Sequence, residues 1–188
     1  MGKDTNRKHH TGLALVIVCC FALAACDPPP GPGPGIDGDA GAVAPSMVDC
    51  AIDEPMFLAV GGGSSLTGFV DLADGADMTG VLGPQGLYMV TPSIRGRGMY
   101  PGTAGRVGNA DDPQIVIEVL AGGAVVGGSA RENLGLTSTP DGYEKLGIFT
   151  PFEGNVSEYA GREVTLRATV SDACGNTITD ELTIVVRQ

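Results

Sequence analysis

Tryptophan is absent from the 188 residues, and both histidines, His9 and His10, lie within the first ten. Beyond that point there is no imidazole, which removes Ser–His–Asp and Cys–His nucleophilic catalysis and histidine-based zinc sites. Lysine is nearly as scarce: after Lys3 and Lys8 only Lys145 remains, with no serine close to it in sequence, so a Ser–Lys dyad has one poor candidate. Aromatic residues make up 5% of the chain, and without tryptophan an aromatic platform for sugars has little to build on. The glycine runs GGGSS (61–65) and AGGAVVGG (121–128) are followed by no GK[ST] and open no helix, so they read as turns and not as phosphate loops. Long apolar runs are also missing. The longest, LALVIVCCFALAA at residues 13–25, falls short of the ~20 residues that span a bilayer.

That run follows a polar opening stretch carrying Lys3, Arg7 and Lys8 against Asp4, and it stops at Asp27 and three prolines. A basic n-region followed by an apolar run of this length is a secretory signal. Its last residues, Leu23-Ala24-Ala25-Cys26, resemble the lipobox of bacterial lipoproteins, L-[AS]-[AG]-C. The resemblance covers only the leader, and within it the match is complete. It implies cleavage before Cys26 and acylation of that thiol, which would hold the protein on a lipid bilayer outside the cytoplasm. Each buried methylene contributes ~0.8 kcal/mol, and two or more chains hold firmly. Asp27 resembles the inner-membrane retention signal of enteric bacteria, a rule other groups do not follow, so the inner membrane, the outer membrane and surface exposure all stay open.

Without residues 1–25 the chain has eight Lys+Arg and twenty-one Asp+Glu, a net charge of −13. Nucleic acid needs a basic footprint, so it is not an expected partner. Anionic lipid would not be bound by charge either. Once the leader is removed and Cys26 is acylated, Cys50 and Cys174 are the remaining cysteines. An even pair in an oxidising compartment predicts a disulfide. A redox or metal role for the pair lacks both CxxC spacing and a third ligand.

Residues 27–35, DPPPGPGPG, form a stiff spacer that cannot join a core. With the following residues they make a tether over 26–47. Asp37 and Asp39 within it could share a calcium ion, but the remaining EF-hand ligands do not follow, and a solvated linker is the better reading. From 48 to 188 the pattern is β. Residues 56–60, 66–72, 86–94, 115–120, 125–126 and 143–149 are short apolar runs between Gly, Pro and Asp turns. Residues 163–170 and 182–186 alternate apolar and polar with period two, the mark of half-buried antiparallel strands. One short helix is expected near 157–161. About eight strands with frequent turns predict an all-β antiparallel sandwich.

The run A-T-V-S-D-A-C-G-N at residues 168–176 resembles the closing hairpin of bacterial immunoglobulin-like domains, often A-x-D-x-x-G-N, over the C-terminal quarter of the chain. Residues 60–97, with a DG turn and Leu82-Gly83-Pro84-Gln85-Gly86, resemble a group of uncharacterised predicted lipoproteins of myxobacterial type. In these a GPQG turn leads into a strand. The two resemblances imply an immunoglobulin-like lipoprotein and no particular activity.

Carboxylates are the remaining chemistry. Asp71, Asp74 and Asp77 cluster in DLADGAD, and Asp111-Asp112 precede Pro113. Paired acids can hydrolyse glycosides or hold a hard cation, but aspartate also belongs in hairpin turns for backbone reasons. The three clustered acids are weak metal candidates, and neither a metal nor a cofactor is otherwise called for. Arg95, Arg97, Tyr100 and Arg106 fall in SIRGRGMYPGTAGR, an unusually basic stretch of an acidic chain. Arginine with tyrosine is a common interface anchor, so this stretch is the candidate surface for an envelope protein or polysaccharide partner. A solvated loop neutralised by neighbouring acids is the plainer reading of the same stretch. The composite expectation is a non-enzymatic binding or scaffolding module on a lipid anchor. The rivals are a metal- or carboxylate-dependent hydrolase of envelope polymers, which needs two acids in one cleft, and a purely structural spacer.

Overall fold

The computed structural model describes residues 48–188 other than Arg106 and Asn155. Among these every regular element is a β-strand, apart from one 3-10 turn at Val156–Glu158. No helix among the described residues is long and apolar enough to cross a membrane. Cys26 and the tether lie outside the described residues.

The first strands are β1 (Phe57–Ser64), β2 (Gly68–Val70), β3 (Ala76–Thr79), β4 (Val81–Leu82), β5 (Tyr88–Val90) and β6 (Ser93–Arg97). The hairpin β7 (Gln114–Ala121) and β8 (Ala124–Gly128) follows, then β9 (Glu132–Asn133), β10 (Thr137–Thr139), β11 (Gly142–Lys145) and β12 (Thr150–Pro151). The chain closes with β13 (Glu163–Ser171) and β14 (Thr177–Arg187). One sheet runs β10-β11-β6-β1-β2 and a second runs β3-β14-β13-β7-β8, with β9 also on β7. A small third sheet, β12-β5-β4, completes the fold. Pairing is antiparallel except between β14 and β3, which run parallel.

The second sheet is built by simple alternation. In its register Leu166 stands beside Leu182 and Val119, and Ala168 beside Ile117. These side chains therefore share one face, and all of them are buried. Directly paired residues point the same way, so one register decides a whole face. The opposing face comes from β1 and β6 of the first sheet, through Leu58, Val60 and Ile94, which belong to the same core. Fully burying each such aliphatic side chain is worth roughly 1.5–3 kcal/mol. A hydrogen bond joins the layers at their margin: the Val60 amide donates to Asp180 Oδ2 of β14 at 2.9 Å. The result is a β-sandwich-like, all-β fold.

Fourteen strands are described against about eight expected, because several have only two to four residues and carry no periodic signal. The expected strand over 86–94 is two strands, interrupted at Thr91-Pro92, since proline gives the ladder no donor. The glycines of GGGSS lie inside β1 rather than in a turn. There β1 changes partner, from β6 at Phe57–Gly61 to β2 at Gly62–Ser64. A Cβ at Gly61 would stand 2.6 Å from Phe69 Cζ, and Gly63 has φ +123, so neither position accepts a side chain without strain. Gly122 and Gly123 do form the expected β7–β8 turn, both at positive φ. The helix expected near 157–161 is the 3-10 turn alone.

Candidate functional site

Arg95 and Arg97 stand on strand β6 and not in a loop, as β6 is held on both edges, by β1 and by β11. Gly96 between them faces inward, and a Cβ there would lie 2.9 Å from Met99 Cε. Both arginines project from the outer face. Arg95 Nη2 donates to both oxygens of Asp71, at 3.0 and 3.2 Å, and its guanidinium lies 4.8 Å from the centroid of the Phe69 ring. Arg97 Nε is 3.6 Å from Glu54 Oε1, and its guanidinium is 5.4 Å from the Phe57 ring. Each thus has a carboxylate and an aromatic face already, the geometry of a neutralised surface. Arg106 lies outside the described residues.

Tyr100 follows the end of β6 and contributes through its backbone. Its amide donates to Asp172 Oδ2 at 3.0 Å. The same carboxylate accepts the Cys174 amide (3.0 Å), the Asn176 amide (2.9 Å) and Asn176 Nδ2 (3.0 Å). Burial pushes the Asp172 carboxyl up, but these hydrogen bonds outweigh it and hold the pKa below the ordinary aspartate value. Asp172 is thus the knot of the closing hairpin. Gly175, at φ +82, completes the turn, which gives a physical reason for D-x-x-G-N. Beside it Cys174 forms the disulfide to Cys50, with Cα atoms 5.6 Å apart across 124 positions. The bridge fastens the start of the described chain to the last hairpin.

The clustered acids disperse. Asp71 binds Arg95, Asp74 Oδ1 accepts the Thr183 amide at 3.0 Å, and Asp77 Oδ1 lies 2.9 Å from Arg187 Nε. Among the described residues no group of three or more His, Cys, Asp or Glu could hold a metal ion. Asp112 is buried, with Oδ1 accepting the Thr103 amide at 2.7 Å and Oδ2 unpartnered. It anchors the segment after β6, where Gly102 leaves no room for a Cβ.

Two hollows stand out among the described residues: an open one of about 390 Å³ that Asp77 lines together with Gly62, Leu72 and Met78, and a groove that involves none of the expected site residues. The groove, of about 530 Å³, lies between the β4–β5 hairpin, with its Pro84-Gln85 turn, and the segment that runs from β11 to β12. Leu87, Met89, Leu134, Ile148, Phe149 and Pro151 line it, together with Lys145 and Glu132. Phe149 is 65% exposed because its neighbours Ile148 and Thr150 both turn into the core and alternation sends it outward. The isolation of Lys145 as the last lysine was visible in the sequence. Its place in an apolar groove was not.

The chain matches no protein-family model and no curated protein.

Proposed function

We propose that this chain is a bacterial lipoprotein, cut before Cys26 and acylated there, whose immunoglobulin-like β-sandwich body is a non-catalytic binding or scaffolding module of the cell envelope. The observation that carries the reading is Leu23-Ala24-Ala25-Cys26 at the end of a basic-then-apolar leader. The Cys50–Cys174 disulfide supports residence outside the reducing cytoplasm. The hairpin closed by Asp172, Gly175 and Asn176 supports the immunoglobulin-like assignment. The separate partners of Asp71, Asp74 and Asp77 favour a binding role over hydrolysis.

Expression in a bacterial host fed an alkyne-tagged palmitate tests the anchor. The wild-type chain is expected to carry label and to fractionate with membranes, and Cys26→Ala to lose both. An unlabelled wild-type chain, or label retained on Cys26→Ala, refutes the reading. Protease shaving of intact against lysed cells then separates a surface-exposed module from a periplasmic one.

A further inference from the structure

Lys145 is the last residue of β11, and its register partner is Ile94 of β6. Paired residues share a face, so Lys145 points to the same side as the core residue Ile94, while Glu144 pairs with Arg95 on the outer face. A lysine on the core-facing side is unusual, because burying an unpaired ammonium is costly. Here the core ends and the groove begins, and Lys145 is half-buried among its lining residues. It makes no ion pair among the described residues, although acids outnumber bases heavily in this chain. The nearby arginines Arg95 and Arg97 both have carboxylate partners. The groove is mostly apolar, with Gln85, Ser129 and Glu132 as its other polar members, and Leu87 (47%) and Phe149 (65%) stay exposed. The volume of about 530 Å³ lies within the ~300–1,000 Å³ typical of small-ligand pockets.

A cation with no ion pair among the described residues, in a mostly apolar groove, matches an anion carrying a long apolar tail. We infer that this groove binds a single-chain aliphatic carboxylate, with the carboxylate on Lys145 Nζ and the chain along Met89, Ile148 and Phe149 under the Pro84-Gln85 turn. The inference rests on the reading of the body as a binding module and names its ligand class. Glu132 is the other charged lining residue, and it is exposed. It would favour an ammonium head instead, so the sign of the head group is the point to test.

The full chain with Cys26→Ala, which leaves no acyl group of its own to compete, is titrated calorimetrically with laurate and with dodecyltrimethylammonium. Laurate is expected to bind and the cation not to. A lost charge-assisted contact is worth about tenfold or more in affinity, so Lys145→Met should weaken laurate by that factor. Lys145→Arg should retain it. Phe149→Ser, at a position 65% exposed, should also weaken laurate. Thermal melts of each variant separate misfolding from lost binding. Laurate that fails to bind, laurate indifferent to Lys145→Met in a folded variant, or equal binding of the cation overturns the inference. Those outcomes leave the anchored-module reading to its own test, the labelling of Cys26.

Discussion

Asp172→Asn turns one carboxylate oxygen from an acceptor into an NH2 donor and removes the charge, with almost no change of shape. In the wild type Oδ1 accepts the Cys174 and Asn176 amides, and Oδ2 accepts the Tyr100 amide and Asn176 Nδ2. An asparagine has one acceptor oxygen, so one pair of these bonds is lost and two donors face an NH2 group. Hydrogen bonds to a charged acceptor contribute ~1.5–3 kcal/mol each. Asp172 keeps a relative exposure of 9%, so water reaches part of the turn and the lower figure applies. Two bonds give a loss of about 3 kcal/mol, or a fall in Tm of roughly 10 °C for a domain of this size. The assay is urea unfolding with the disulfide intact, at pH 7 and at steps down to pH 2. The sign of the pH effect follows from the lowered pKa of Asp172. The stabilisation by the charged form is fully present above the unfolded-state pKa of about 4 and disappears as pH falls through the lower folded-state value. The gap between wild type and Asp172→Asn should therefore be widest at neutral pH and close in strong acid. A gap under about 1 kcal/mol at pH 7, or one that does not narrow in acid, would refute the reasoning.

Replacing Cys50 and Cys174 together with alanine opens a closure of 124 positions. The chain-entropy model sets the loss at about 4–5 kcal/mol, and practice usually gives less; urea titrations of the double variant and of the dithiothreitol-treated wild type should agree. Gly61→Ala forces a methyl against the Phe69 ring and the Val70 carbonyl, and a cost of about 1–3 kcal/mol is expected by thermal melt, as for overpacked cores. Arg95→Met removes an ion pair whose Asp71 partner is 73% exposed. Exposed pairs contribute ~0–1 kcal/mol, so its urea midpoint should scarcely move, and a loss much above that range would show that the outer-face ladder matters more than its exposure suggests.

The clearest parts of the sequence were those whose signal is local. The alternation over 163–170 and 182–186 became β13 and β14, and the Gly122-Gly123 turn became the β7–β8 hairpin, because period two and positive φ are properties of neighbouring residues. The cysteine pairing was legible because Cys50 and Cys174 are the only two cysteines after residue 26. The arginines were harder. Arg95-Gly96-Arg97 reads as a loop by composition, and only the strands on either side make it a strand. The glycines of β1 read as a turn for the same reason: what requires them is Phe69 and Gly68, brought in by β2.

The β class, the long closing hairpin and the available disulfide partners were determined by the sequence itself, through composition, period and turn chemistry, all of which act over a few residues. Tertiary structure alone decided that Asp172 reaches Tyr100, 72 positions away, that Asp71, Asp74 and Asp77 part to separate partners, and that Lys145 turns inward beside an apolar groove. Each of those outcomes depends on which strand lies beside which, and in what register. A shift of one residue would reverse every face, and no local pattern in the chain specifies that pairing.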